Sequence, residues 1–326
     1  MNKTFQLDEH YSTTRNVTRE KPLLVKQSED KFETVLFLPE CEGRQGEGGL
    51  RTQGYFKDGL GGKPLFTIVT VVYNGEQFLE ETILSVINQT YDNVEYIIID
   101  GGSNDGTLNI IRKYERLIDY WVSEKDSGIY DAMNKGISLS KGELVGLINA
   151  DDFYDLNAIE LVSESFIESE ADIIFGTKRL INEELDLYRD IVIEAPSSLE
   201  SVLLHSVHPT VFVKKAVYER MNFCLDYRVS ADYKFMLDSY LSGVTFCKIP
   251  KVLACMRMGG ISSQLNKDVV QLKFLYFGRF QGVIFAVRYY ARFYINYLIK
   301  KILPNILIKK IQRIRGFNDV QQVESD

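Results

Sequence analysis

Asp100 closes the apolar run VEYIII, and the pair Asp151 and Asp152 follows LVGLINA. A single acid after an apolar run is commonplace, because it can cap the next helix. Several acids gathered without matching bases repel one another strongly unless a cation joins them. Hard oxygen ligands set beside a diphosphate suit Mg²⁺ or Mn²⁺. Those residue types therefore point to a metal-assisted site for a phosphorylated ligand, provided that the chain brings the runs together.

Runs that are neighbouring parallel strands would do so, since the carboxyl ends of parallel strands open on one crevice. Phe66 to Val72 is β-branched, uncharged and of strand length. Tyr73-Asn74-Gly75 turns the chain, and Glu76 to Gln89 places Phe78, Leu79, Ile83, Val86 and Ile87 near helical spacing. The same alternation continues through a strand at 94–99, a helix at 107–114, a strand at 120–123, a helix at 129–139, a strand at 144–148, a helix at 158–167 and a strand at 172–175. This is the pattern of an α/β fold with a mostly parallel sheet flanked by helices. Beyond Gly176 it loosens, with helices expected near 198–205, 214–221 and 233–241 and closing strands at 245–249 and 252–258. The first turn, YNGEQF, has one glycine, and no GxxxxGK[ST] loop follows, which argues against dinucleotide-binding and P-loop sites.

The 326 residues, 45% apolar and 25% charged, are ordinary for a globular protein and can bury a large core. Cys41, Cys224, Cys247 and Cys255 form no CxxC pair, so free thiols in a reducing compartment are expected. The opening MNKTFQLDEHYSTTRN has no apolar core of a secretory signal, and no apolar run reaches the ~18 residues of a membrane span. Residues 1–63 read as an N-terminal extension, partly flexible. Within it, FETVLFLP suggests a short strand, and the glycines of EGRQGEGGLRTQGYFKDGLGGK argue against any regular element. An ordered flap with Arg51 near phosphates is the alternative.

The net charge of −7 is unevenly spread. From Gln264 to Gly316 eleven Lys or Arg face one acid, Asp268, so the segment is +10 and the remainder −17. A nucleic-acid partner would not favour this split, and none is expected. Residues 264–326 read as a basic, aromatic helical tail, broken at Pro304, and such helices suit an anionic membrane surface. Packing on the body of the protein or against another copy is the competing reading.

TIVTVVYNGEQFLEETILSVINQTY, VEYIIIDGGSNDGT, KDSGIYDAMNKGI and LINADD, in this order and spacing, resemble the family 2 nucleotide-sugar glycosyltransferases of GT-A fold. The resemblance runs from about Pro64 to Ile261, about 60% of the chain, and sets a catalytic domain at 64–263. It implies that Asp100 contacts the base or ribose of the donor, that Tyr73, Asn74 and Glu76 begin the donor pocket, and that Asp126 and Lys135 line it. Asp151 matches the acidic element of the D-x-D metal motif, whose first position is here Asn149, an oxygen donor without charge. Asp152 can assist. The family's base is an acid in a later motif, which Asp232 in VSADYKFML matches, although an acid there can also cap its helix. An inverting transfer needs one carboxylate to take the acceptor's proton, and positive charge on the leaving diphosphate. His208, in SVHPTVFVKK, fits either a metal or phosphate contact or a structural role.

The function implied is transfer of a sugar from a nucleotide donor, a UDP-sugar foremost, to a glycan or lipid-linked oligosaccharide. It would serve surface polysaccharide synthesis at the cytoplasmic face of the plasma membrane. A non-catalytic nucleotide-sugar or glycan-binding module is the alternative, for which Asn149 is the footing. A nucleotidyltransferase would want a glycine- and lysine-rich loop after the first strand, which is lacking.

Overall fold

The computed structural model describes residues 4–24, 33–57, 59, 63–202, 208–259 and 267–320. Its centre is a run of parallel strands: β1 (Phe66–Val72), β2 (Val94–Asp100), β3 (Tyr120–Ser123) and β4 (Leu144–Asn149). β1 pairs with β2 and β4, and β2 with β3, all parallel, so the four carboxyl ends lie along one edge. Helices α1 (Leu79–Ile87), α2 (Thr107–Lys113) and α3 (Ile129–Leu139) make the crossovers. α4 (Ala158–Ser169) then leads to β5 (Ile173–Asn182).

Alternation along each strand sorts side chains onto the two faces of the sheet. Val69, Val71, Ile97 and Ile99 face Met133 and Ile137 of α3 in one core. Ile68, Val72, Tyr96 and Ile98 face Ile83 and Val86 of α1 and Ile159 of α4 in the other. Helix α3 approaches closely because residue 136 is glycine: a Cβ there would stand 2.2 Å from Val69 Cγ1.

The rest of the sheet departs from the sequence reading. β5 continues to Asn182, well past the four residues expected, and β6 (Leu187–Ile191) folds back on it antiparallel. β7 (Val211–Lys214) lies antiparallel between β4 and β5. α5 (Lys215–Arg220) and α6 (Ala231–Leu241) follow. The two closing strands are one, β8 (Phe246–Arg257), parallel to β5 with register shifts between Ile249 and Ala254. Leu199–Val202 is helical, and the end of the helix expected near 198–205 lies outside the described residues. All four cysteines are free.

The N-terminal segment carries the largest surprise. Residues 33–39 form no strand, whereas the glycine-rich stretch does: Gly46–Gly48 pairs antiparallel with β3, and Leu50–Gln53 is a 3-10 turn. Gly49 and Gly54 adopt the positive φ (100° and 77°) that lets the chain turn there. Arg51 does not face phosphates. It is 2% exposed and pairs with the fully buried Glu95 at 2.7 Å, near the amino ends of the strands and so away from their carboxyl edge. Its Nη1 and Nη2 donate to the Leu36 and Leu139 carbonyls at 3.0 and 2.9 Å. One guanidinium thus ties the extension to β2 and to the end of α3.

The tail is helical, as expected, in α7 (Lys267–Ile302) and α8 (Asn305–Ile314). A second break, at Gly278 with φ 79°, adds to the one at Pro304. Leu272 is in the core. Beyond Gly278 α7 is largely exposed, Phe280 at 78% and Val287 at 65%. Ile308 and Phe317 pack with Leu185 and Leu187, and Asn318–Asp319 pairs with β6. Among the described residues no helix is long and apolar enough to cross a membrane.

Removing one partner of a buried ion pair strands the other without compensation. Arg51→Ala is therefore expected to cost about 3 kcal/mol in urea denaturation. A loss below about 1 kcal/mol, typical of a surface pair, would show that the extension is not held this way.

Candidate active site

β4 delivers Asn149 to the carboxyl edge, and residues 149–152 turn there, closed by the Asp152 N–H on the Asn149 carbonyl at 3.1 Å. The Thr82 hydroxyl of α1 lies within hydrogen-bond distance of the Ala150 and Asp152 carbonyls, at 2.9 and 2.6 Å. Arg257, ending β8, donates its N–H to Asp152 Oδ1 at 3.2 Å and its Nη1 to the Asp151 carbonyl at 2.8 Å. The guanidinium lies over the Phe78 and Phe153 rings, 4.5 and 5.0 Å from their centroids, and pairs with Glu183 and Glu81. The turn is thus gripped largely through its backbone.

Its side chains are less satisfied. Asp151 is partly exposed, and burial raises its carboxyl pKa. Asp152 is 1% exposed, and burial, with Asp151 beside it, pushes its carboxyl well above the usual range. Asp152 Oδ2 and Asn149 Oδ1 are both buried without a partner. Buried acceptors are rarely left so, and here two fall within four residues.

Neighbouring loops complete the edge. The 73–76 turn abuts this one, since a Cβ on Gly75 would stand 3.3 Å from the Ala150 Cβ. It is zipped to residues 103–107: Asn74 N–H to Ser103 Oγ (2.7 Å), Asn104 N–H to Asn74 Oδ1 (2.9 Å) and Gly106 N–H to Glu76 Oε2 (2.6 Å). Tyr73 projects freely, 65% exposed. Asp100 does not join Asp151 and Asp152 in one acidic cluster. It is 0% exposed and accepts from Ser103 N–H at 3.0 Å, Gly102 N–H at 3.2 Å, Ser123 Oγ at 2.5 Å and Ser103 Oγ. Hydrogen bonds from its own loop and from Ser123 of β3 satisfy it where a cation was expected to. Asp126 lies against Gly101, and burial raises its pKa. Lys135, whose charge opposes that rise, pairs with Glu124 at 2.9 Å and Asp131 at 3.7 Å, and Glu124 also holds Arg44.

The third group lies past β4. Asp232 is the second residue of α6, and Ser230 occupies the cap position, so the acid is not the helix cap. Its Oδ1 accepts from the Tyr130 hydroxyl at 2.7 Å. Burial raises its pKa, and the Tyr130 hydrogen bond is the largest effect opposing that rise. A cavity of about 30 Å³, lined by Asp232, His208, Tyr218 and Tyr233 among others, lies beside it. Burial, and then Lys178, bring the His208 imidazole down to about 4, so it is neutral at pH 7, and its Nε2 is buried without a partner. Lys178 of β5 is 8% exposed. Burial lowers its pKa, and the carboxyls of Asp152 and Asp232 raise it. The lysine thus links the 149–152 turn electrostatically to Asp232.

Residues 67–223 match glycosyl transferase family 2. An uncharacterized glycosyltransferase of Mycobacterium tuberculosis is 31% identical over 188 residues, covering 55% of this chain and 70% of that protein. The chain belongs to glycosyl transferase family 2. A putative teichuronic acid biosynthesis glycosyltransferase of Bacillus subtilis, TuaG, is 31% identical over 140 residues, 42% of this chain and 55% of TuaG. In fold, this glycosyltransferase superimposes on S. aureus TarS, solved with UDP-GlcNAc, at a TM-score of 0.53, 17% identity and 65% of each chain. The likeness bears out the GT-A-like α/β fold.

A glycosyltransferase of this fold implies a divalent ion, and the donors present can be tested against one. Asn149 Oδ1 is a buried hard oxygen without a partner, Asp151 adds a carboxyl in the same turn, and His208 offers a neutral nitrogen without a partner. Among the described residues no three His, Cys, Asp or Glu side chains form a closed metal set. Mg²⁺-type ions take one or two carboxylates, here that of Asp151, and complete their shell from other donors, substrate phosphates and water. The donors fit that use.

Sequence reasoning missed Lys178, Arg257 and Tyr130. Lys178 lies beyond the four residues read as its strand, in FGTKRL. Arg257 ends a strand that was recognised, but nothing local tells that it reaches the Asp151–Asp152 turn. Tyr130 lies in a helix that was recognised, and its i, i+4 relation to Asn134 marks a shared face, but nothing local tells that it reaches Asp232.

Proposed function

We propose that this glycosyltransferase moves one sugar, with inversion, from a nucleoside diphosphate donor to a hydroxyl of a glycan. Its donor is taken to be a UDP-sugar, a reading that the UDP-GlcNAc bound by its structural neighbour TarS favours. The observation that carries the proposal is Asp232: a carboxyl of raised pKa at a cavity, electrostatically linked through Lys178 to a turn with unpartnered oxygens.

Tyr73, Asn74, Glu76 and Asp126 are assigned to the donor's nucleoside end, where their loops interlock. Asp100 serves that end by shaping the loop that carries Ser103. Asn149, Asp151 and His208 would hold a Mg²⁺ or Mn²⁺ ion, which supplies positive charge against the diphosphate. Asp152, buried beneath the turn, and Lys135, in its ion network, keep those loops in place. As the acceptor oxygen bonds to the anomeric carbon, Asp232 takes the hydroxyl proton. The bond from that carbon to the diphosphate oxygen breaks, and its electron pair leaves with the nucleoside diphosphate. A carboxyl of raised pKa is a stronger base once ionised, which suits proton removal.

Asp232→Asn is expected to lower turnover by at least ~10²-fold while nucleotide binding persists in calorimetry, and Asp151→Ala to weaken that binding. Unchanged turnover in Asp232→Asn would reject the base assignment. It would also favour the alternative of a non-catalytic binding module.

We further assign the acceptor to a lipid-linked oligosaccharide at an anionic membrane surface, for surface polysaccharide synthesis on the cytoplasmic side. The exposed part of α7 supports this. Arg279, Arg288, Arg292, Lys300 and Lys301 are interleaved with Phe280, Val287, Tyr294 and Ile295, all exposed, and no acid occurs between Arg279 and Arg315. The tail is anchored before and after this stretch, by Leu272 in the core and by Ile308 of α8 and Phe317 on the sheet. Charge and apolar surface therefore face outward together. Full-length protein should sediment with vesicles containing phosphatidylglycerol and not with neutral ones, and the five bases changed to Gln should abolish this. Equal sedimentation of both proteins would remove the membrane assignment.

A further inference from the structure

The segment KDSGIYDAMNKG carries two residues whose side chains turn away from the donor loops. Tyr130 and Asn134 stand one helical turn apart on α3 and so share a face. Asn134 braces the loop that leads to Asp232: its Nδ2 donates to the Phe223 carbonyl at 2.9 Å, and its Oδ1 accepts the Phe223 N–H at 3.0 Å. Tyr130, 7% exposed, packs its ring on Phe223 at 5.4 Å and donates its hydroxyl to Asp232 Oδ1 at 2.7 Å. The other face of the helix, with Asp131 and Lys135, joins Glu124 beside the donor loops.

We propose that Tyr130 is a positioning residue for the transfer, fixing the Asp232 carboxylate on the acceptor side while Asn134 fixes the loop that bears it. The inference rests on the assignment of Asp232 as the base. α3 thereby joins the two halves of the reaction: one face borders the network beside the donor loops, the other sets the base. A partly buried carboxylate has few partners to choose from, so one directed hydroxyl decides which oxygen faces the acceptor and which is held back. The same hydrogen bond favours the ionised form.

The test is the pH profile of kcat/KM for full-length wild type, Tyr130→Phe, Asn134→Ala and Asp232→Asn, with donor KM measured for each. Activity needs Asp232 ionised, so the acidic limb follows its pKa. Phenylalanine keeps the ring and removes the donor. Tyr130→Phe is expected to move that limb about one pH unit upward and to lower kcat roughly tenfold, with donor KM unchanged. Asn134→Ala should lower kcat with the limb in place. Incorporating a fluorinated tyrosine at position 130, a stronger donor of nearly the same shape, should move the limb downward, which keeps the test open should Tyr130→Phe fold poorly. A limb that stays at the wild-type pH in both Tyr130 variants overturns the proposal. If Asp232→Asn retains turnover, the base assignment itself has failed, and the two failures are told apart.

Discussion

Two carboxyl groups, that of the buried Asp152 and that of the partly buried Asp232, both act on the ammonium of Lys178. Burying an acid raises its pKa, and a cation within reach lowers it again. Burial sets Asp232 above an ordinary carboxyl, opposed first by the Tyr130 hydrogen bond and less by Lys178, while burial and then Lys178 lower the His208 imidazole. These groups come from separate crossings of the sheet: the turn after β4, the long β5, the approach to β7 and the first turn of α6.

The scaffold makes this affordable by satisfying almost everything nearby. Asp100 disappears into its own loop, Arg257 grips the backbone of residues 149–152, and Arg51 pins the N-terminal segment beneath the strands. Among the buried polar atoms left without a hydrogen-bond partner are three at the candidate site, Asn149 Oδ1, Asp152 Oδ2 and His208 Nε2. Core packing accounts for the rigidity of that frame. β1 and β2 are buried on both faces, and Gly136 lets α3 close on Val69.

Legibility in the sequence followed the range of the forces involved. β1, β3 and α3 were readable to the residue, because apolar runs and helical spacing are local patterns. Asp151 and Asp232 were reachable through the motifs around them. Arg51 was not, because its partner Glu95 lies 44 positions away and nothing near either residue announces the pair. The glycines before it read as a loop, although Gly49 and Gly54 serve a tight turn beside a real strand. Lys178 stayed hidden for a similar reason: β5 outran its apolar start by pairing with β6 and β8, contacts that no local pattern contains. The break at Gly278 fell within an unbroken apolar and basic pattern, where glycine alone does not dictate a kink.

The central claim is one of placement: diphosphate against the turn at 149–152, anomeric carbon toward Asp232. A crystal structure of the full chain with Mn²⁺ and an unhydrolysable nucleotide sugar measures it directly. The account predicts the ion on Asp151, Asn149 and His208, and an open path from the Asp232 carboxylate to the face of the sugar opposite the diphosphate. A sugar bound with that face turned away from Asp232, or a diphosphate seated elsewhere than on this turn, would contradict it.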